Sequence, residues 1–381
     1  MSDSSLHPMP PPARWDVFCR VIDNFGDAGV CWRLARLLAR EHGLAVTLWI
    51  DEPAALARIV PGIAPTGAQQ QVDGVTLRRW TTDFPRPPAG EVPDVVVEGF
   101  GCGLPEAYIA ALAARPTPPA WFILEYLSAE PWIDAAHGRP SPHPALGLPR
   151  RFWFPGFTPA SGGLLREADL LDRRRRFAAE PGAQTTLWSS LRVPARDADE
   201  IRVSMFRYPD APLAALEDAW AASPVRVVCV LPGNERRTAS LVRGALTVHR
   251  VPFLAQHDYD RLLWACDVNF VRGEDSFVRA QWAARPFVWQ IYAQEQHAHL
   301  AKLDAFLGRC CAGLPPRAAA AARGMCGAWN AAPGAPAVAP AWAAYAAALP
   351  ALAAGAASWA DTLAALPELA TGLVFASRGA V

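Results

Sequence analysis

The chain lacks net charge: its 36 Lys and Arg residues are matched by 36 Asp and Glu among 381 residues. A protein without a net field is poorly suited to non-specific binding of nucleic acid or of an anionic membrane surface, so neither is an expected partner. It also lacks paired cysteines. Cys19, Cys31, Cys102, Cys229, Cys266, Cys310, Cys311 and Cys326 are scattered through mostly apolar stretches, without a C-x-x-C pair or a spacing suited to zinc. That pattern reads as free thiols in a reducing compartment. The start is Ser- and Pro-rich, with neither a basic n-region nor an apolar h-region, which argues against a secretory signal. No uncharged apolar run suits a bilayer span, because Pro and Gly interrupt the Ala-rich tail. A cytoplasmic location is the expectation.

What is present is enough apolar material for a sizeable core, 52 % of the residues, in a chain longer than one core usually sustains. Two domains are therefore expected. Residues 15–22 (WDVFCRVI) have the β-branched and aromatic content of a buried strand. A loop at 23–29 (DNFGDAG) follows, then an amphipathic helix over 30–42 closed by Gly43, then a strand over 44–50. This is the opening of a doubly wound α/β domain. Further strands are expected at 75–80, 94–98 and 121–124, with a crossover helix at 107–114. A turn-rich stretch at 152–163 and a charged one at 164–179 approach a boundary, and the arginines at 173–176 read as a solvated helix face. A second alternating series follows. Its strands are expected at 201–207, 225–231, 246–251, 268–271 and 287–291, and its helices at 212–222, 259–266, 276–284 and from about 295 to 307. The Ala-rich tail with Trp329, Trp342 and Trp359 reads as helices packing back on the body.

Ligands of open α/β sheets sit beyond the carboxyl ends of the strands, and three loops there carry unusual residues. The first holds Asp23, Asn24, Phe25, Gly26 and Asp27. It lacks the G-x-G-x-x-G spacing of a dinucleotide loop, and two acids would face a pyrophosphate; they suit a cationic or proton-donating substrate better. A helix cap by Asp27 and a turn at Asp23 and Asn24 account for the same residues. The second loop holds Arg272, Gly273, Glu274, Asp275 and Ser276 ahead of a helix, a natural seat for a diphosphate except that two acids beside it would be costly. The third holds Phe253 and Gln256, an aromatic face with an adjacent amide, as base stacking and edge-reading require. Phe206, Tyr208 and Tyr292, with Gln290, Gln294 and Glu295, follow other strands of the second series and could reach the same cleft. His257, His297 and His299 show no metal-ligand pattern.

At these residues the sequence resembles the EarP family, the arginine rhamnosyltransferases of elongation factor P. The resemblance is carried by WDVFCRVIDNFGDAGVCWRLARLL from residue 15, LEYLSAE at 124–130 and FWFPGFTPASGGLLRE at 152–167. It continues with VPFLAQHDYDRLLWACD at 251–267 and VRGEDSFVRAQWAARPFVWQIY at 271–292. It implies a GT-B fold, two facing Rossmann-like domains with C-terminal helices returning to the first. The division expected is 1–185 for the acceptor domain, 186–350 for the nucleotide-sugar domain and 351–381 for the returning segment. It implies dTDP-β-L-rhamnose as donor, an arginine of elongation factor P as acceptor, inversion at the anomeric carbon, and no metal or other cofactor.

By the same resemblance Asp27 is the general base, Asp23 a supporting acid, and Glu274 assists from the donor side. Phe253 and Gln256 contact thymine; Arg272, Asp275 and Ser276 hold the nucleotide sugar; Phe206, Tyr208 and Tyr292 line the cleft. Asn24, Phe25, Gly26 and Gly273 belong to the same substrate-binding loops. The residues by themselves also admit a transferase of another sugar or acceptor, a nucleotide-dependent oxidoreductase whose glycine spacing is wrong, and a non-catalytic binder, against which Asp23, Asp27 and Glu274 speak.

Overall fold

A computed structural model describes residues 13–23, 25–233, 238–294 and 297–379. Seven strands form the first sheet: β1 Arg14–Cys19, β2 Ala45–Ile50, β3 Gln69–Val72, β4 Val75–Arg79, β5 Val95–Gly99, β6 Ala120–Leu124 and β7 Arg150–Trp153. Their order is β3-β4-β2-β1-β5-β6-β7. Six strands form the second: β8 Glu200–Met205, β9 Arg226–Gly233, β10 Ala239–Arg243, β11 Leu246–Pro252, β12 Val268–Arg272 and β13 Phe287–Gln290, in the order β10-β11-β9-β8-β12-β13. Each sheet is parallel apart from one antiparallel edge strand, β3 in the first and β10 in the second. Central strands such as β1 and β5 are buried almost throughout, as expected of parallel strands covered on both faces.

In both sheets the chain winds one way from the first strand and then the other. β1 has β2 on one side and β5 on the other; β8 has β9 on one side and β12 on the other. The loops after β1, β8 and β12 therefore open at topological switch points, where crevices form beyond the strand ends. The three acidic and aromatic segments singled out in the sequence lie at or beside these points.

Two expectations about the division of the chain are corrected. Leu170–Ala179, placed before the boundary at 185, buries Leu170 and Phe177 in the second core, beside Leu187 and Trp188 of Ala183–Ser190, the helix that straddles that boundary. In the tail, Leu349–Ala364 also belongs to the second unit: Leu352 and Leu363 enter its core, and the Trp359 indole donates to the Gln281 side chain at 2.9 Å. Trp329 packs on Phe270 and Trp342 on Trp220, at centroid distances of 4.8 and 5.5 Å. These indoles anchor the tail where aromatic partners exist, so the chain crosses back only with Leu369–Arg378, which buries Leu369, Ala370, Leu373 and Val374 in the first core. The Arg173–Arg176 run is also not simply solvated, since Arg174 donates to the Trp282 carbonyl at 2.6 Å and Arg173 pairs with Asp169 at 3.0 Å. Among the described residues no single helix is long and apolar enough to cross a membrane.

Candidate active site

The first helix is Gly26–Arg40, four residues longer at its start than the sequence suggested. Asp27 therefore sits in its first turn, where an acid complements the helix dipole. It does not cap that helix. One carboxylate oxygen turns back to accept the N–H groups of Ile22 and Asp23 at 2.8 and 2.9 Å, drawing the loop after β1 into a tight fold. The Tyr126 hydroxyl donates to the same carboxylate. Burial raises the Asp27 carboxyl above its ordinary range, against the pull of these three donors.

Asp23 faces the second unit. The Tyr208 hydroxyl donates to it across the cleft at 2.5 Å. Burial raises its carboxyl too, opposed by Tyr208 and by the Arg272 charge, while Asp27 adds repulsion. The facing loop comes this close because residue 273 is glycine: its φ is +59°, and a Cβ there would lie 2.5 Å from an Asp23 oxygen.

The 272–276 loop starts the helix Asp275–Trp282. The Arg272 guanidinium lies 4.4 Å from the Phe206 ring centroid, 4.6 Å from Tyr208 and 5.8 Å from Phe25, a cation held by three aromatic faces. The Ser276 hydroxyl turns back to bond the Arg272 backbone, fixing the turn. The two acids beside this helix start are both accounted for. Asp275 accepts from the Arg33 Nε at 2.6 Å and from the Gln256 amide at 3.1 Å. Glu274 accepts from the Leu127 N–H at 3.0 Å, and burial pushes its carboxyl up to about 8, so it is mostly a neutral acid at pH 7. With one acid neutralised by a guanidinium and the other by a proton, the helix start can receive an anion after all.

Arg33 was not singled out in the sequence, where it reads as the polar face of an amphipathic helix. It is 3 % exposed and also pairs with Glu167 at 3.2 Å, which accepts from Arg279 at 2.7 Å; Arg279 in turn holds both oxygens of Asp260. Burial alone would raise Glu167, but the two guanidiniums reverse this and hold it well below the usual carboxylate range. The chain of charges ties the first helix to the 272–276 loop. It closes up because residue 29 is glycine, where a Cβ would stand 2.9 Å from Asp275.

These groups line two cavities. One, of about 550 Å³ with its open mouth, is lined by Phe25, Phe206, Phe253, Gln256, Tyr259, Arg272, Asp275 and Ser276 among others. The other, of about 830 Å³ counted the same way, is lined by Asp27, Glu274, Gly273, Tyr126, Tyr292 and Lys302 among others. Asp23 and Gly26 belong to both walls, so the cavities meet at the loop after β1. The other candidate residues from the sequence are thus brought to this cleft, apart from Gln290, and apart from Asn24 and Glu295, which lie outside the described residues. Gln290 instead fixes the loop after β8, its side-chain carbonyl accepting from Tyr208 N–H at 2.8 Å. Tyr126, Tyr259 and Lys302 were missed as site residues. Tyr126 lies within the LEYLSAE segment, which marked the region without marking the side chain. Among the described residues no three His, Cys, Asp or Glu side chains converge as a metal site.

Comparison with known proteins bears on what this cleft serves. The sequence model described as "Elongation-Factor P (EF-P) rhamnosyltransferase EarP" matches residues 15–377. The chain belongs to the EarP family. Among its relatives is the protein-arginine rhamnosyltransferase of Pseudomonas aeruginosa, 52 % identical over 333 residues, covering 84 % of this chain and 87 % of the relative. The enzyme of the same name from Shewanella oneidensis is 39 % identical, covering 80 % and 82 %. A solved structure from work on EarP-mediated arginine glycosylation of translation elongation factor EF-P matches at a TM-score of 0.67 and 33 % identity, covering 97 % of this chain and 100 % of that one. The spinosyn rhamnosyltransferase SpnG shares the fold at a TM-score of 0.54 and 16 % identity. Membership makes this EarP-family chain an enzyme, a protein-arginine rhamnosyltransferase, with the GT-B architecture expected from the sequence.

Proposed function

We propose that the enzyme transfers rhamnose from dTDP-β-L-rhamnose to an arginine of elongation factor P in a single displacement with inversion, without a metal or other cofactor. The observation that carries this reading is the pairing of the two cavities: an aromatic one with a clamped cation meets an acidic one at a shared loop. In the first, Phe253, Phe206 and Phe25 offer faces to a pyrimidine. The Gln256 side-chain nitrogen is tied to Asp275, while its oxygen is buried without a partner. A buried acceptor left open is costly unless a ligand fills it, and an imide N–H of thymine is such a donor. The diphosphate then reaches Arg272 and the start of the helix Asp275–Trp282, and the sugar lies at the junction by Asp23 and Gly273.

The acceptor enters the second cavity as a guanidinium. Its pKa lies above about 12 and its lone pairs are delocalised, so a carboxylate cannot deprotonate it beforehand. Asp27 can bind the cation, aim one nitrogen at the anomeric carbon and take its proton as the C–N bond forms. The C–O bond to the diphosphate breaks on the opposite side, its electron pair leaving with the diphosphate oxygen toward Arg272. Attack opposite the leaving group gives inversion.

Incubation with purified elongation factor P and dTDP-rhamnose, followed by intact mass, tests the reading. A deoxyhexose gain that disappears when the acceptor arginine is changed to lysine is expected; no gain would sink it, and a gain only with another nucleotide sugar would assign a different donor. For the base pocket, Gln256→Ala should weaken dTDP binding about tenfold, the worth of one hydrogen bond to a buried partner. Calorimetric affinity equal to that of the wild type would remove Gln256 from base recognition.

A further inference from the structure

The chain has 35 arginines and a single lysine, Lys302. That lysine lies on the helix Ala298–Cys310 and is half-buried in the wall of the acidic cavity, the proposed seat of the acceptor guanidinium. Among the described residues that line the cavity, none is an arginine. A chain that uses arginine for every other basic position departs from that habit at the cavity where arginine is the substrate. We propose that Lys302 is a specificity-determining residue: it supplies the positive charge the acidic cavity needs in its wall without supplying a second guanidinium, and so leaves the acceptor's seat open. The inference rests on the reading of this cavity as the arginine site.

The chemistry of the two side chains gives the reason. A guanidinium presents five donors in a rigid planar fork that matches carboxylates bidentately, whereas an ammonium is a compact, strongly hydrated point charge. This molecule shows what its arginines do beside buried acids. Arg279 closes on both oxygens of Asp260 at 2.8 and 2.6 Å while taking Glu167 at 2.7 Å, and Arg33 takes Asp275 at 2.6 Å. An arginine at 302 would bring such a fork to the same cavity wall, facing Glu274, which already feels the charge of residue 302, and would compete there with the substrate's guanidinium.

The lysine is held otherwise. Its ammonium is 5.9 Å from the centroid of the Tyr126 ring, and that ring stacks on Phe100 at 4.4 Å while its hydroxyl serves Asp27. From there the charge is felt by Glu274 and by Glu125. The aromatic face keeps the cation in the wall beside the acids, from which it can give way when a guanidinium arrives.

Methylguanidinium is the probe, titrated into the full-length wild type, Lys302→Arg and Lys302→Gln, with dTDP binding as the check on folding. The acceptor KM is measured in parallel. Lys302→Arg, the charge-conserving change, is expected to weaken methylguanidinium binding at least tenfold and raise the acceptor KM by a similar factor, with the dTDP Kd unchanged. Lys302→Gln should keep or improve methylguanidinium binding. Wild-type binding of the probe in Lys302→Arg would overturn the proposal, as would equal losses in the Arg and Gln variants, which would mean that the lysine itself is needed and not the absence of a fork. Failure of the wild type to transfer rhamnose would instead strike the proposed function, and the probe comparison would still decide the role of Lys302.

Discussion

Asp27→Asn is expected to lower kcat for sugar transfer by about a thousandfold, within the range that a positioned general base contributes, while dTDP affinity stays at the wild-type value. The substitution isolates the proton step because of how Asp27 is held. One of its oxygens accepts both N–H groups of Ile22 and Asp23, and an asparagine carbonyl can keep those two bonds and the loop they shape. What changes is the other end of the group. A carboxylate oxygen becomes an NH2, which repels the incoming guanidinium and cannot accept its proton. The Asp27→Ala variant would mix this loss with collapse of the loop against Asp23, so the asparagine is the cleaner probe. Single-turnover transfer followed by intact mass, beside a dTDP titration, makes the comparison. Near-normal transfer by Asp27→Asn would move the base to Asp23 or Glu274.

The order of the elements and the gathering of the loops were legible in the sequence because buried parallel strands and their crossover helices write strong apolar runs, as in β1 and β5. The edge strands were not. β3 is Gln69–Val72, polar and partly exposed, and β10 exposes all of Ala239–Arg243, so neither has the alternation that marks a strand. The Asp73–Gly74 turn, with positive φ at both residues, was the available signal for the hairpin β3–β4. In the site, Asp23, Asp27 and Glu274 could be chosen because three acids in Gly-rich loops are unusual. Arg33 could not, since a buried arginine on a helix looks like any solvated one until its partners Glu167 and Asp275, far away in sequence, are brought beside it. Tyr126 and Lys302 escaped for the same reason: each acts through a neighbour that only the fold supplies. The helix boundary at Gly26 was misplaced because Gly26 and Gly29 weaken the helical pattern, and the structure shows that at least Gly29 is spent on closeness to Asp275.

Glu274→Gln is expected to lower kcat/KM for the acceptor about a hundredfold, the loss of a buried charge-assisted contact, and to flatten its pH dependence. Burial, reinforced by the charge of Asp27, raises the wild-type Glu274 carboxyl to about 8, the Leu127 N–H and Lys302 working against the rise. In the empty enzyme at pH 7 it is mostly protonated. A guanidinium in the cavity favours the ionised form, so acceptor binding must release a proton, and the acceptor KM should fall as pH rises from 6.5 toward 8 and level above it. Stability runs the opposite way. The folded group holds its proton between 4.5 and about 8 where the unfolded chain has lost it, so the wild type loses stability as pH rises through that window. Glutamine carries no such penalty, and Glu274→Gln should melt higher than the wild type at pH 8.5 while transferring far less sugar. A structural role for Glu274 would instead cost both properties together. A wild-type acceptor KM that is flat from pH 6.5 to 8.5, or a variant that keeps the slope, would take the proton away from Glu274.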